Sequence, residues 1–114
     1  MRFYRTNAGT EPVREWLLSL PKEDRAVIGE DIRTVEFGWP IGMPTCRHLA
    51  NGIWEVRSSL PQGRIARVLF CLSGATMHLL HGFIKKTQKT PPHDLELAIL
   101  RMRELRRHDD GKST

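Results

Sequence analysis

The sequence predicts an α+β domain in which an N-terminal helical hairpin and a C-terminal helix flank a small sheet of about four strands. Apolar residues recur at helical spacing over residues 10–36 and 90–107, whereas the intervening pattern alternates as strands do. With 114 residues, the chain is long enough for one domain with a single core. We expect this domain to span residues 1–108 and residues 109–114 to form a disordered tail.

The helical hairpin is predicted from two amphipathic segments on either side of Pro21. Thr10 is the expected cap of the first helix, and Pro12 fits its first turn, where a missing N–H is harmless. The second helix is expected from Lys22 to about Glu36. The two apolar stripes consist of Val13, Trp16, Leu17 and Leu20 in the first helix and Ile28, Ile32 and Val35 in the second.

The strands and the last helix follow from alternation and from turn signals. The segments with strand character are residues 2–5, 53–60, 64–72 and 76–85. The last of these is nearly continuous in apolar residues and ends with His81, Phe83 and Lys85 on one face. Thr90 is the expected cap of the last helix, with Pro91 at its first position and Asp94 near the positive end of the helix dipole.

The net charge of +5 is concentrated in the second half of the chain. Residues 1–56 carry seven Lys or Arg against eight Asp or Glu, whereas residues 57–107 carry ten against three. Between residues 57 and 89 there are six cations and no acidic residue. A basic surface that is localised in this way predicts a polyanionic partner.

Four residues of this basic segment are candidates for catalysis: Arg57, Arg67, His81 and Lys85. We expect them to share one open face of the sheet, because each lies on the side of its strand opposite the best apolar set. Such a face suits phosphodiester cleavage, in which cations stabilise the phosphate charge, a titratable group moves protons and an aligned ribose 2′-hydroxyl attacks. Arg67 is the predicted phosphate clamp, and Lys85 is placed to neutralise the transition state or to protonate the leaving oxygen. His81 is the candidate for proton transfer, with a purely structural role as its alternative.

A second set of cations, Arg64, Lys86 and Lys89, is expected to contact the RNA backbone. Solvated loop charge is the alternative for the two lysines. No carboxylate pair is expected on the basic face, and neither metal-ligand spacing nor a glycine-rich nucleotide loop is present in the sequence. We therefore expect neither a metal nor another cofactor.

The remaining composition suggests a cytoplasmic protein without a membrane partner. The sequence has no apolar run as long as a membrane span, and its first residues do not resemble a signal peptide. Cys46 and Cys71 are far apart and are expected to be buried, reduced thiols.

Three stretches carry a family resemblance: residues 49–57 (LANGIWEVR), 67–70 (RVLF) and 80–91 (LHGFIKKTQKTP). Their order and spacing resemble the RelE/ParE toxin superfamily, specifically its phage-derived HigB-like branch. The resemblance implies a RelE/ParE-like sheet and the toxin of a type II toxin–antitoxin pair. It further implies a ribosome-dependent messenger RNA endoribonuclease (mRNA interferase) that inhibits translation by metal-independent 2′-hydroxyl attack. By position, Arg57, Arg67 and Lys85 match the basic residues of the active face in that branch, and His81 lies beside them.

The partners that the resemblance implies are a cognate antitoxin, the ribosome and messenger RNA. The antitoxin is expected to be a helix-turn-helix protein of the HigA type, through which alone the toxin reaches operator DNA. Two other functions stay open at this point: a ParE-like inhibitor of DNA gyrase, and a non-catalytic nucleic-acid-binding regulatory module.

The chain also departs from the RelE pattern at two places. It has Glu55 and Arg57 where several RelE-type toxins have two basic residues, and its sole tyrosine is Tyr4. The side chain that stacks on an RNA base is therefore unassigned, and Phe83 or Trp54 would serve if either were exposed.

Overall fold

A mixed sheet with helices on both faces forms the centre of the fold. The computed structural model describes residues 1–38, 46–85 and 89–112, excluding the side chains of residues 109–112, and in this part of the chain three α-helices and five strands occur. The elements in chain order are β1 (Arg2–Phe3), α1 (Pro12–Ser19), α2 (Lys22–Gly38), β2 (Cys46–Ala50), β3 (Ile53–Ser59), β4 (Ile65–Ser73), β5 (Thr76–Lys85) and α3 (Pro92–Lys112). The predicted α+β class, helical hairpin and C-terminal helix are confirmed.

The strand order across the sheet is β1-β5-β4-β3-β2. Strands β2 to β5 form an antiparallel meander, and β1 pairs with β5 in parallel, with Arg2 opposite His78. The strand beyond the expected four is β2, which joins β3 through a turn at Asn51 and Gly52, both at positive φ. An Asn-Gly pair favours this kind of hairpin turn, so the signal for β2 was present in the sequence.

Two helix starts differ from the predicted ones. At the start of α1, Glu11 occupies the N-cap position without a side-chain hydrogen bond, whereas Thr10 bonds to Thr6. At α3, which begins at Pro92, the Thr90 hydroxyl donates to a carboxylate oxygen of Glu55. The Thr10 hydroxyl therefore takes part in a local turn and the Thr90 hydroxyl in a tertiary contact.

The end of α3 lies beyond the predicted boundary of the domain. Its backbone is helical to Lys112, whereas the sequence suggested a disordered tail over 109–114. Residues 113 and 114 lie outside the described residues, and the division at residue 108 stays a prediction.

The sheet separates two apolar cores. The core beneath the helical hairpin is built from twelve buried residues: Val13, Ile28, Ile32, Val35, Cys46, Val56, Leu60, Ala66, Val68, Phe70, Met77 and Leu79. The core beneath α3 is built from Tyr4, Ile53, Leu69, Cys71, Leu80, Phe83, Ala98 and Met102. The helices predicted from apolar periodicity thus cover opposite faces of the sheet.

The two cysteines are buried thiols, as predicted, and each belongs to one of these cores. Burial, with a smaller contribution from the nearby Glu55 carboxylate, raises the pKa of Cys46 to about 11. Its thiol is therefore protonated near neutral pH.

Close approach of α1 to β5 explains the glycine at position 82. A Cβ atom built on Gly82 would lie 2.4 Å from both Cε3 and Cζ3 of the Trp16 ring. Only glycine allows the indole to lie this close to the strand. Trp16 in turn packs against the core beneath the helical hairpin.

A β-bulge in β5 reverses which residues of the strand face α3. Leu69 pairs with His81, whereas the next residue of β4, Phe70, pairs with Leu79, so Leu80 is the extra residue. Leu79 belongs to the core beneath the helical hairpin, and Phe83, four residues later, belongs to the core beneath α3. The bulge thereby places the His81 side chain on the α3 side of the sheet. Phe83 and Lys85, at every second residue after it, lie on the same side.

No helix among the described residues combines the length and the apolar character needed to cross a membrane.

Candidate active site

The four predicted catalytic residues lie on the sheet face that α3 covers. Arg57 of β3 lies directly opposite Arg67 of β4, and Arg67 lies opposite Phe83 of β5. His81 and Lys85 flank Phe83 on the same side of β5. Alternation correctly predicted that these side chains share a face, and the meander brings their three strands together.

The expectation that this face is open is wrong for Arg67. Arg67 and Glu55 are both 0% exposed, and Arg67 Nε lies 2.8 Å from Glu55 Oε1. This contact is an ion pair by distance, although the N–H does not point along it as in an aligned hydrogen bond. Arg67 is thus a buried partner of a carboxylate and does not reach solvent, because the α3 layer covers the middle of the sheet.

Glu55 is one of two carboxylates near these cations; the other is Asp94, and the two bind different partners. Glu55 Oε1 accepts a hydrogen bond of 3.2 Å from Thr90, and Glu55 Oε2 lies 3.4 Å from Arg47 Nη2. Arg47, on edge strand β2, is a further cation that sequence reasoning missed. Glu55 precedes Arg57 by two residues, so alternation along the strand already places the two side chains on one face.

Asp94 is the second carboxylate, and it connects two of the predicted catalytic residues. Its Oδ1 lies 2.7 Å from His81 Nε2, and its Oδ2 accepts a hydrogen bond of 2.9 Å from Lys85 Nζ. Asp94 is 5% exposed in the first turn of α3, so the helix brings the carboxylate to the edge of the sheet. The sequence suggested only a dipole interaction for this residue.

The pKa values of this cluster reflect burial and the shared contacts. Burial alone would raise the pKa of Asp94, but the hydrogen bonds from His81 and Lys85 together outweigh it, so the pKa lies below its usual value. Burial lowers the pKa of His81, and the hydrogen bond to Asp94 opposes that effect only in part. Near neutral pH the pair therefore consists of an ionised Asp94 and a neutral imidazole.

Phe83 supports the cluster from the sheet and is not available to stack on RNA. Its ring is stacked on the His81 ring with centroids 5.4 Å apart, and Lys85 Nζ lies 5.5 Å from its centroid. Phe83 is 7% exposed, and Trp54 packs on the opposite side of the sheet. Neither candidate for base stacking is therefore exposed on this face.

Arg57 differs from the other cations of the face in its contacts within the described part of the chain. It is half-buried, and among the described residues it forms no hydrogen bond and no ion pair. Burial lowers the pKa of the neighbouring Arg67, with Glu55 opposing this and Arg57 and Arg47 adding to it. The named cations outnumber the named carboxylates by two on this face: they are Arg47, Arg57, Arg67 and Lys85 against Glu55 and Asp94.

The second predicted set of cations is divided by the structure. The Arg64 guanidinium donates to both carboxylate oxygens of Asp24, at 2.8 and 3.2 Å, and so ties the start of β4 to α2. Lys89 is exposed, next to Thr90. Lys86 lies outside the described residues. The proposed RNA contacts of all three stay predictions.

Among the described residues, no three His, Cys, Asp or Glu side chains are grouped as a metal site would require. The metal-free reaction itself stays a prediction.

Comparison with protein families identifies the family to which this chain is similar. The model of a family described as "Phage derived protein Gp49-like (DUF891)" matches residues 15–103. This span runs from α1 into α3 and contains every residue of the candidate active site. No curated protein was found to match the chain.

Proposed function

Since the chain belongs to the Gp49-like family of phage-derived proteins, a RelE/ParE-like toxin family, we propose that it is the toxin of a type II toxin–antitoxin pair and cleaves messenger RNA on the ribosome. One observation carries the proposal. His81 and Lys85 share the Asp94 carboxylate, on the same sheet face as Arg57, which has no ion-pair partner among the described residues. This arrangement supplies a proton carrier and cations for a phosphate.

In the proposed reaction, the ribose 2′-oxygen attacks the adjacent phosphorus. The new 2′-O–P bond forms as the P–O5′ bond breaks, which leaves a 2′,3′-cyclic phosphate and a 5′-hydroxyl. His81 handles the proton of the 2′-hydroxyl, and Lys85 supplies positive charge or a proton to the departing 5′-oxygen. All atoms of the reaction come from the RNA and from these side chains.

Arg57 takes the role of phosphate clamp, which the sequence assigned to Arg67. Its guanidinium is half-buried and has no ion-pair partner among the described residues, so no ion pair with them must break before it binds a phosphate. The buried Arg67 adds positive potential beneath the phosphate while Glu55 compensates part of its charge. Lys89, at the exposed rim, is proposed to hold the RNA backbone.

The partners follow from the same proposal. A cognate helix-turn-helix antitoxin would hold the toxin inactive, and the ribosome would present messenger RNA to the basic face.

The test is tightly controlled expression followed by mapping of messenger RNA 5′ ends, with a parallel cleavage assay on purified ribosomes. We expect new 5′-hydroxyl ends within translated messages. Arg57→Ala and Lys85→Ala should each lower the cleavage rate by about 10²-fold, the usual effect of removing one charge-stabilising group from a transition state. Both variants should remain folded, since neither side chain is in a core.

Arg103→Ala is the matched control, because it removes one exposed arginine from the outer surface of α3. It should leave cleavage unchanged. Intact transcripts together with gyrase-linked DNA breaks would refute the ribonuclease and favour the gyrase inhibitor. If both active-face variants stayed fully toxic, the assignment of the site would be wrong.

A further inference from the structure

Asp94 determines which nitrogen of His81 carries a proton. Because an ionised carboxylate only accepts hydrogen bonds, the contact of 2.7 Å between Asp94 Oδ1 and His81 Nε2 requires the proton on Nε2. A neutral imidazole with its proton on Nε2 has its lone pair on Nδ1. Among the described residues Nδ1 has no hydrogen-bond partner.

We propose that Asp94 is a positioning residue of the active site, which holds His81 as the Nε2–H tautomer so that Nδ1 accepts the 2′-hydroxyl proton. The proposal rests on the proposed ribonuclease function and assigns its general base. In the step, the proton moves from the 2′-oxygen to Nδ1 while the 2′-oxygen forms its bond to phosphorus. The imidazolium that results is stabilised by the adjacent carboxylate.

The surroundings hold the ring in one orientation. The His81 ring is stacked on Phe83, and Asp94 is fixed by α3, whose first turn is closed by hydrogen bonds from the Asp94 and Leu95 amides to Pro91. The second oxygen of Asp94 is bound to Lys85. One buried carboxylate therefore fixes both the candidate base and the cation proposed for the leaving group.

Burial has the largest effect on the pKa of His81 and lowers it, and the charged groups around the ring modify that effect. From α3 the ring faces Asp94, Arg101 and His93, and from its own strand Lys85. On β4 its partner is the apolar Leu69, beyond which lies Glu55 of β3. Of these, the Asp94 contact raises the pKa of His81, whereas Arg101 and His93 lower it.

The first experiment reads the tautomer without RNA. Nitrogen chemical shifts of the His81 ring, measured on the whole ¹⁵N-labelled protein across a pH titration, should show Nε2 protonated in the neutral form. Asp94→Asn should lower the pKa of His81, because it removes the carboxylate charge that favours the imidazolium. Glu96→Gln is the matched control on the exposed side of α3 and should leave the titration unchanged.

The second experiment measures cleavage rate against pH on purified ribosomes. The acid limb of the wild-type profile should coincide with the pKa of His81 from the titration. Asp94→Asn should move that limb to lower pH and reduce the maximal rate by about 10²-fold, the low end of what a placed general base contributes. Lys85→Gln should reduce the rate without moving the acid limb downward, because it removes a cation rather than the carboxylate.

Three results would overturn the proposal. They are a neutral His81 protonated on Nδ1, an acid limb that stays in place in Asp94→Asn, and an acid limb unrelated to the titration of His81. The wild-type protein could also cleave no RNA at any pH while neutral His81 carries its proton on Nε2. In that case both the ribonuclease function and the role of His81 as general base would be refuted. The tautomer assignment would then stand alone, so the two failures are distinguishable.

Discussion

Replacing Gly82 by alanine tests how α1 docks on the sheet. The new methyl carbon would lie 2.4 Å from two Trp16 ring carbons and 3.1 Å from a third, whereas carbon atoms pack best at about 3.5–4.0 Å. The indole must therefore retreat by about 1 Å, although it is packed against the core beneath the helical hairpin. Val68, the partner of Gly82 on β4, is buried and limits movement of the strand.

The expected cost is at the upper end of what overpacking causes, about 3 kcal/mol of unfolding free energy. For a domain of this size, that corresponds to a decrease in Tm of about 10–15 °C. Urea denaturation followed by circular dichroism, together with calorimetry, measures both quantities. Gly29→Ala is the matched control: the same substitution in the middle of α2 meets no atom within 4 Å and should stabilise by about 0.5–1 kcal/mol.

A double-mutant cycle identifies the cause. In a Trp16→Leu background the large ring is gone, so Gly82→Ala should cost less than about 1 kcal/mol, which gives an interaction energy of about 2 kcal/mol. The reasoning is refuted if Gly82→Ala changes the unfolding free energy by less than about 0.5 kcal/mol in the otherwise unchanged protein. It is equally refuted if the cost is undiminished in the Trp16→Leu background.

Two further predictions concern the buried charges. Arg67→Ala should lower the unfolding free energy, measured by urea denaturation, by about 3–5 kcal/mol, because it leaves the Glu55 carboxylate buried without its main partner. The double variant Arg67→Met with Glu55→Met should recover much of this loss. Equal losses in the single and the double variant would contradict the ion-pair explanation. Acidification should also destabilise the protein. Because the folded-state pKa of His81 is depressed, its contribution is fully present above about pH 6.5 and is lost as the pH falls through the folded value. The depressed pKa of Asp94 adds a further loss below about pH 4, so a Tm that stays constant from pH 7 to 3 would show these shifts to be absent.

Local pattern was sufficient to predict most of the fold. Apolar periodicity predicted all three helices, since amphipathic stripes are set by the core that they cover. Alternation in β3, β4 and β5 placed Arg57, Arg67 and Lys85 on one side of the sheet. Strand β2 was harder to predict, because it is a short edge strand of five residues that includes the polar Arg47 and His48.

The candidate site was predicted only in part, because its carboxylates depend on contacts between distant segments. Asp94 reaches His81 only after α3 docks across the sheet, and no spacing in the sequence encodes that angle. Glu55 shares the face of Arg57 by simple alternation, yet this buried carboxylate contacts Arg47, Arg67 and Thr90, which come from other segments of the chain. Charge counting along the chain predicted a basic surface and missed the carboxylates from other elements that compensate Arg64, Arg67 and Lys85.

The pairing of Arg57 with Arg67 links ligand binding to folding. Two like charges directly opposite each other on neighbouring strands repel, and this repulsion reduces the stability of the empty protein. Glu55 compensates part of this repulsion from within the sheet, and an anion bound at the half-buried Arg57 would reduce the remainder, so phosphate would raise the Tm. If the chain binds RNA as proposed, part of the binding free energy would come from relief of the repulsion between these two strands, and the loaded protein would be more stable than the empty one.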